Sequence, residues 1–245
     1  MVDETLAKSF LNVGEEYDRY RPGFPVAAAD AIISAAVEAA LDLGAGTGKF
    51  TERLVSRASR VIAVEPSEQM LAVLRSKLPA VESHVGTAEG IPVADASVDV
   101  VTVAQAFHWF DRAPACAEIR RVLVPGGTLG LLWNHSDARC TWDRACHRVA
   151  HPAVSETDET TSSAADELPG FTFVAHTEVA WSERITRADY IARWLTVSSF
   201  LAASDDECAR MVAEVERILD ADPDTAGRDE FDLPQITDVY VYRAS

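Results

Sequence analysis

The chain is poor in positive charge: 22 lysines and arginines stand against 39 aspartates and glutamates across 245 residues, a net charge of −17. A surface of that sign repels phosphate backbones, and no Lys/Arg cluster offsets it locally, so nucleic acid is not an expected partner. Long apolar runs are missing as well. None approaches the roughly 20 residues that span a bilayer, and Met1 to Phe10 lacks the basic start and apolar centre of an export signal. Together these absences predict a cytoplasmic protein with no membrane contact. Cysteine is scarce: Cys116, Cys140, Cys146 and Cys208 form no C-x-x-C pair and are too few for a disulfide scaffold, so free thiols are expected. His147 and His151 lie one helical turn apart near His135 and Cys146. No H-E-x-x-H glutamate accompanies them, and no metal site is predicted.

What the chain does contain is apolar residues, 48% of the total, enough to bury the sheet of one ordinary α/β domain. Leu41-Asp42-Leu43-Gly44-Ala45-Gly46-Thr47-Gly48 reads as a buried strand running into a glycine loop. Gly44 and Gly46 allow the backbone to turn sharply there and to approach a ligand closely. Seventeen residues after Gly48, Glu65 ends a second apolar run, Val61-Ile62-Ala63-Val64, a spacing that fits strand, helix and parallel strand. Its carboxylate suits the paired hydroxyls of a ribose. The loop reads G-x-G-x-G and lacks the third glycine, three positions on, of the dinucleotide fingerprint. A nicotinamide-dependent oxidoreductase is therefore disfavoured.

Helical patterning is expected over Val26 to Ala40, Phe50 to Arg57, from the Ser67 cap to about Lys77, and from the Asp111 cap through Leu123. Further helices are expected from near Thr186 and after the capping box Ser204-Asp205-Asp206-Glu207. The helix behind the glycine loop would turn its positive end toward a ligand. Ser155 to Glu167 is polar enough to form a mobile loop.

Taken in order, Leu41 to Gly48, Val61 to Pro66, Gly86-Thr87-Ala88-Glu89-Gly90-Ile91-Pro92, Asp99 to Trp109, and Leu123 to Thr128 resemble the class I S-adenosylmethionine-dependent methyltransferases. Gln105-Ala106-Phe107-His108-Trp109-Phe110 and Tyr17 to Pro25 resemble the small-molecule branch that includes trans-aconitate methyltransferase-like proteins. The resemblance implies an α/β fold with a Rossmann-like, mostly parallel sheet, an antiparallel C-terminal edge strand and a helical lid. Residues 1–133 would form an N-terminal arm and cofactor core, 134–229 the lid and substrate-specificity insertion with core helices, and 230–245 the closing strand. S-adenosylmethionine would be the cofactor and S-adenosylhomocysteine its product. The methyl group would pass to an O, N or C atom of a small molecule, in a monomer or homodimer. A second reading keeps the cofactor but uses the pocket for another reaction or for sensing, since a fold does not dictate chemistry.

In an open parallel sheet the ligand sits outside the carboxyl ends of the strands, which makes the loops after them the expected site. The cofactor residues expected there are Gly44, Ala45 and Gly46 in the first loop, Glu65, Pro66 and Met70 after the second strand, Thr87, Ala88 and Glu89 beside adenine, and Gln105. Tyr20 and Arg21 in the arm would close over the cofactor. For the substrate, Tyr17, His108, Trp109, Trp133 and Arg193 are expected. His108 is the expected catalytic base or orienting donor, because an unperturbed imidazole titrates near neutral pH.

Overall fold

A computed structural model describes residues 18–150 and 167–245. Helix α1 (Val26–Ile32) precedes strand β1 (Val37–Leu43), then α2 (Thr51–Leu54), β2 (Ala58–Glu65), α3 (Glu68–Lys77), β3 (Glu82–Val85) and β4 (Val98–Ala104). A 3-10 turn over Phe107–Trp109 leads into α4 (Arg112–Val122) and β5 (Leu123–Ser136). The second half holds α5 (Thr141–Ala150), β6 (Phe171–Thr186), α6 (Arg187–Leu195), α7 (Ser198–Ala202), α8 (Asp205–Ala221) and β7 (Glu230–Ala244). Among the described residues these strands make one seven-stranded sheet in the order β3-β2-β1-β4-β5-β7-β6. β7 runs antiparallel to both its neighbours, and the remaining pairings are parallel.

Strands β1, β2 and β4 are apolar on both faces because helices cover both faces, as parallel sheets require. Leu41, Leu43, Ile62, Val64, Val101 and Val103 pack on one side with Cys116, Ile119 and Val122 of α4. The alternate residues Ala40, Val61, Ala63 and Val100 pack on the other with Ala28, Ala29 and Ile32 of α1 and with Leu71 and Leu74 of α3. α1 lies so near the sheet that a Cβ on Gly130 would stand 2.5 Å from Ile32, which only glycine avoids.

Three expectations are corrected. The helix from Val26 stops at Ile32, and Val37 to Ala40 are already strand, since the last of these residues pair with β2 and β4. The helix behind the glycine loop is four residues long, because β2 starts at Ala58 and leaves no room for more; it offers no dipole end. β7 is an interior strand. The edge is β6, sixteen residues within the span expected to be helical lid, and its largely exposed pattern hid it. The expected loop at Ser155 to Glu167 lies outside the described residues except for Glu167.

β6 and β7 build the support for the lid. Their ladder continues past the last β5 pairing, Ser136 with Gln235, as far as Thr186 with Glu230, an overhang of about 17 Å at strand spacing. On it a third apolar cluster assembles: Ile185, Phe231 and Leu233 of the overhang pack with Trp142 and Cys146 of α5, Tyr190 and Trp194 of α6, and Val215 and Leu219 of α8. α6 begins beside Thr186 as expected, with Thr186 as its cap, and α8 begins at the expected capping box of Ser204 and Glu207.

Candidate functional site

The turn after β1 is held by backbone. Gly44 and Ala45 N–H both donate to the Val64 carbonyl, and Gly44, Gly46 and Gly48 take φ of +72°, +54° and +85°. A Cβ on Gly44 would lie 2.7 Å from Ala106 Cβ, so the glycine lets the loop after β4 come against the first turn. At Gly46 a Cβ would meet only the Met70 sulfur, at 3.7 Å; glycine keeps that space clear.

Glu65 sits at the end of β2, buried, and is fixed at both oxygens. Oε2 accepts from Gly46 N–H and Oε1 from Ser67 N–H, each at 3.0 Å. Burial raises its pKa while the two amides oppose that shift. Each carboxylate oxygen has a second acceptor site, so two lone-pair positions remain for a vicinal diol. Below it, Asp42 is a buried acid in the middle of β1, accepting from Thr51 Oγ1 at 2.6 Å and Thr102 Oγ1 at 3.0 Å. Desolvation pushes its pKa up to about 6, against those two hydroxyls and with help from the Glu65 charge. Asp42 thus ties β1 to β4 and to α2 beneath the loop. Sequence reasoning assigned it no role, although an acid inside an apolar strand is the signal that could have marked it.

Contacts bring the other loops to the same rim. Gly86 N–H donates to the Glu65 carbonyl at 3.3 Å, which places Thr87 and Glu89 beside the β2 end. Ala88 is buried in the sheet core, and Glu89 Oε1 accepts from Asp111 N–H at 2.9 Å. Pro66 is exposed, and Met70 is buried on α3 next to the glycine loop. Gln105 adopts φ +56°, a strained value for a non-glycine residue, with Nε2 donating to the Asn134 carbonyl at 3.0 Å.

On the substrate side, His108 stands on the 3-10 turn, open to solvent on one side and covered on the other, with its ring 4.8 Å from Trp109. The buried Trp133 donates its indole N–H to His108 Nδ1 at 3.5 Å. Indole is a donor only, so Nδ1 is the acceptor and the ring proton resides on Nε2. Partial burial lowers the His108 pKa, which favours the neutral ring near pH 7. That state offers an N–H donor at Nε2 to anything bound against it.

The arm crosses the rim. Asp18 pairs with Lys77 and Lys49, and Lys77 Nζ also donates to the Thr47 carbonyl of the glycine loop. The Gly23 carbonyl accepts from Asn134 Nδ2 at the end of β5, and Arg21 Nη2 donates to the Thr196 carbonyl beside α6. Arg193 holds the same strap: Nε donates to the Tyr20 carbonyl, and Nη2 donates to both oxygens of Glu183. The Arg193 guanidinium is therefore engaged inside the protein. Tyr17 lies outside the described residues. A separate cleft of about 460 Å³, bordered by Asp137, Trp142 and Arg228, contains none of the residues expected at the site.

The arrangement fits a nucleoside cofactor: a glycine turn kept clear at Gly46, a fixed carboxylate with two free acceptor positions, and an apolar Met70 beside them. Comparisons with known proteins agree. Residues 41–131 match the family model described as a methyltransferase domain. An uncharacterized methyltransferase of Mycobacterium tuberculosis is 38% identical over 232 residues, 95% of this chain and 94% of the relative. One from Schizosaccharomyces pombe is 32% identical over 96% of each chain. Among solved structures, a candidate type II methyltransferase from Anaeromyxobacter dehalogenans superposes with a TM-score of 0.70 at 26% identity, covering 92% of this chain and 97% of the other.

Proposed function

The chain belongs to the S-adenosylmethionine-dependent methyltransferase superfamily, and on that footing we propose that its methyl acceptor is a small molecule enclosed between the glycine loop, the His108 turn and the helical lid. The observation that carries this reading is the strap of residues 18–25, whose Asp18 at one end bonds Lys77, itself a donor to the Thr47 carbonyl of the glycine loop, and which at the other end bonds Arg193 and the Thr196 carbonyl. A strap so tied links the glycine-loop side to the lid side, which supports a closed site and a compact acceptor. The net charge of −17 points the same way, away from nucleic acid.

Glu65 would take the ribose hydroxyls, Gly44 to Gly46 would lie under the amino-acid portion of the cofactor, and Met70, Pro66 and the Thr87 to Glu89 backbone would border adenine. When bound, the cofactor supplies an electrophilic methyl group on a sulfonium. The chain's own part is to position the acceptor in line and to exclude water. His108, neutral and donating from Nε2, orients an acceptor oxygen or nitrogen while Trp109 and Trp133 form the apolar wall. An acceptor carboxylate would need no base; a phenol or amine would pass its proton to solvent.

Calorimetry of the full chain with S-adenosylhomocysteine, followed by mass analysis of S-adenosylmethionine reactions with pooled small acids, phenols and amines, tests the proposal. Binding heat and a product heavier by one methylene support it. A folded chain that binds neither form of the cofactor removes the site assignment. Methylation confined to protein or nucleic acid in the same assay removes the small-molecule acceptor.

A further inference from the structure

Away from the cofactor loops, the edge of the sheet gathers four potential ligand groups on one face. Asp238 of β7 is buried, and two imidazoles reach it from the strands on either side: His135 Nε2 of β5 lies 3.0 Å from Oδ2, and His176 Nε2 of β6 lies 2.7 Å from Oδ1. Glu178 of β6 stands directly across the ladder from Asp238, and ligand atoms of His176, Glu178 and Asp238 all lie within 4.8 Å of one another.

Backbone irregularity creates this grouping. β6 carries a bulge between Phe173 and Ala175, so that Phe173 pairs with Tyr242 and Ala175 with Val241. One extra residue reverses which face every later side chain takes. It turns His176 and Glu178 onto the face of Asp238, where His176 stacks on Tyr240 at 4.3 Å.

Two features of the grouping call for a cation. The first is the protonation pattern of His135. Its Nδ1 lies 3.1 Å from the Ser136 carbonyl, which can only accept, so Nδ1 carries the proton and the neutral ring presents a lone pair at Nε2. That lone pair faces a carboxylate oxygen, an acceptor opposing an acceptor, and only a second proton or a metal reconciles them. A carbonyl partner on the far nitrogen is the usual device for orienting a ligating histidine. The second is Glu178 opposite Asp238, a like-charge cross-strand pair that is destabilising without a positive charge between.

We propose that His135, His176, Glu178 and Asp238 bind one divalent first-row transition ion, with zinc as the best match. Two imidazole nitrogens and two carboxylate oxygens suit zinc and its neighbours rather than magnesium or calcium, which prefer oxygen alone. Tetrahedral zinc with bonds of about 2.0–2.2 Å holds its ligand atoms about 3.3 Å apart. His176, Glu178 and Asp238 already lie within 4.8 Å of one another, and His135, on the other oxygen of Asp238, would have to turn toward them to complete the set. The ion would clamp β5, β7 and β6 together directly beside Trp133, whose cross-strand partner is Asp238. No metal site is expected from sequence spacing, because these four residues come from three strands and share no local motif.

Zinc and cobalt chloride titrations of the untagged full chain test the proposal, with calorimetry for stoichiometry and visible absorption for cobalt geometry. One ion per chain is expected, with the intense bands of four-coordinate cobalt. His135→Asn and His176→Asn should each weaken binding about tenfold or more, Glu178→Gln should weaken it in a folded sample, and His147→Asn should leave it unchanged. A folded parent that binds no zinc overturns the site. So does equal uptake by the parent and the His135→Asn/His176→Asn double variant, which would leave the grouping a hydrogen-bonded histidine–aspartate cluster.

Discussion

Strands β1, β2 and β4 are buried over most of their length and present their chemistry at their ends, through backbone and the one fixed carboxylate of Glu65, whereas β6 is largely exposed and presents side chains along its length. At the glycine loop the deciding atoms are amides and missing Cβ atoms within a few residues of one another. On the β6–β7 side the deciding groups come from three strands and from helices dozens of residues apart. The first region tolerates little change in chain geometry, while the second can exchange side chains on a stable support. A family that shares a cofactor and varies its acceptors would divide its sheet in this way.

The sharpest attack on that contrast is Gly44→Val. The left-handed φ and the 2.7 Å approach to Ala106 leave no place for a branched side chain, and S-adenosylhomocysteine binding should fall about a hundredfold or more, roughly 3 kcal/mol. Calorimetry showing parent-like affinity would mean that the turn is not held by backbone geometry.

Asp42 probes the same region through pH. Its folded pKa of about 6 lies above the ordinary carboxylate value, so the folded state binds the proton more tightly than the unfolded one. This group's contribution is therefore most favourable below about pH 4, declines as pH rises to about 6, and is constant above that. The difference amounts to about 2–3 kcal/mol. Denaturant unfolding of Asp42→Asn against the parent at several pH values should show that slope removed; parallel profiles would contradict it.

In the lid the expected effect is smaller and falls on stability alone. Tyr190 donates to Asp143 at 2.6 Å within the third apolar cluster. Tyr190→Phe should cost about 1–2 kcal/mol and lower Tm by about 3–6 °C. Cofactor affinity should stay as in the parent, and a joint loss would show that the two regions are coupled. The smallest change is expected at their border. His108→Asn retains a donor and should reduce kcat by less than about tenfold with unchanged cofactor affinity; in rate measurements a loss beyond about a hundredfold would make His108 a base rather than an orienting donor.

How much of this could be read in advance follows from the same contrast. Gly44, Gly46 and Glu65 were legible because their spacing is set by one strand-helix-strand unit, and the capping box at Ser204 because a cap is a local hydrogen bond. β6 was not legible: an edge strand with one face in solvent shows no continuous apolar run, and its bulge breaks the alternation that would have marked it. Arg193 looked available to a substrate in isolation, yet its engagement with Glu183 and the Tyr20 carbonyl depends on where the arm crosses α6. Asp42 was visible as an acid in an apolar strand, but its partners Thr51 and Thr102 had to be brought to it by the turn and by the neighbouring strand.

The amino-acid sequence by itself determined the glycine turn, the parallel core and the family, because those rest on apolar periodicity and on φ values that few residues can adopt. Tertiary structure alone decided the strand order around β7, the overhang that carries the lid, the strap across the crevice and the company that Asp238 keeps. These depend on register and on contacts between distant segments, where a one-residue bulge exchanges the two faces of a strand and no local pattern records the outcome.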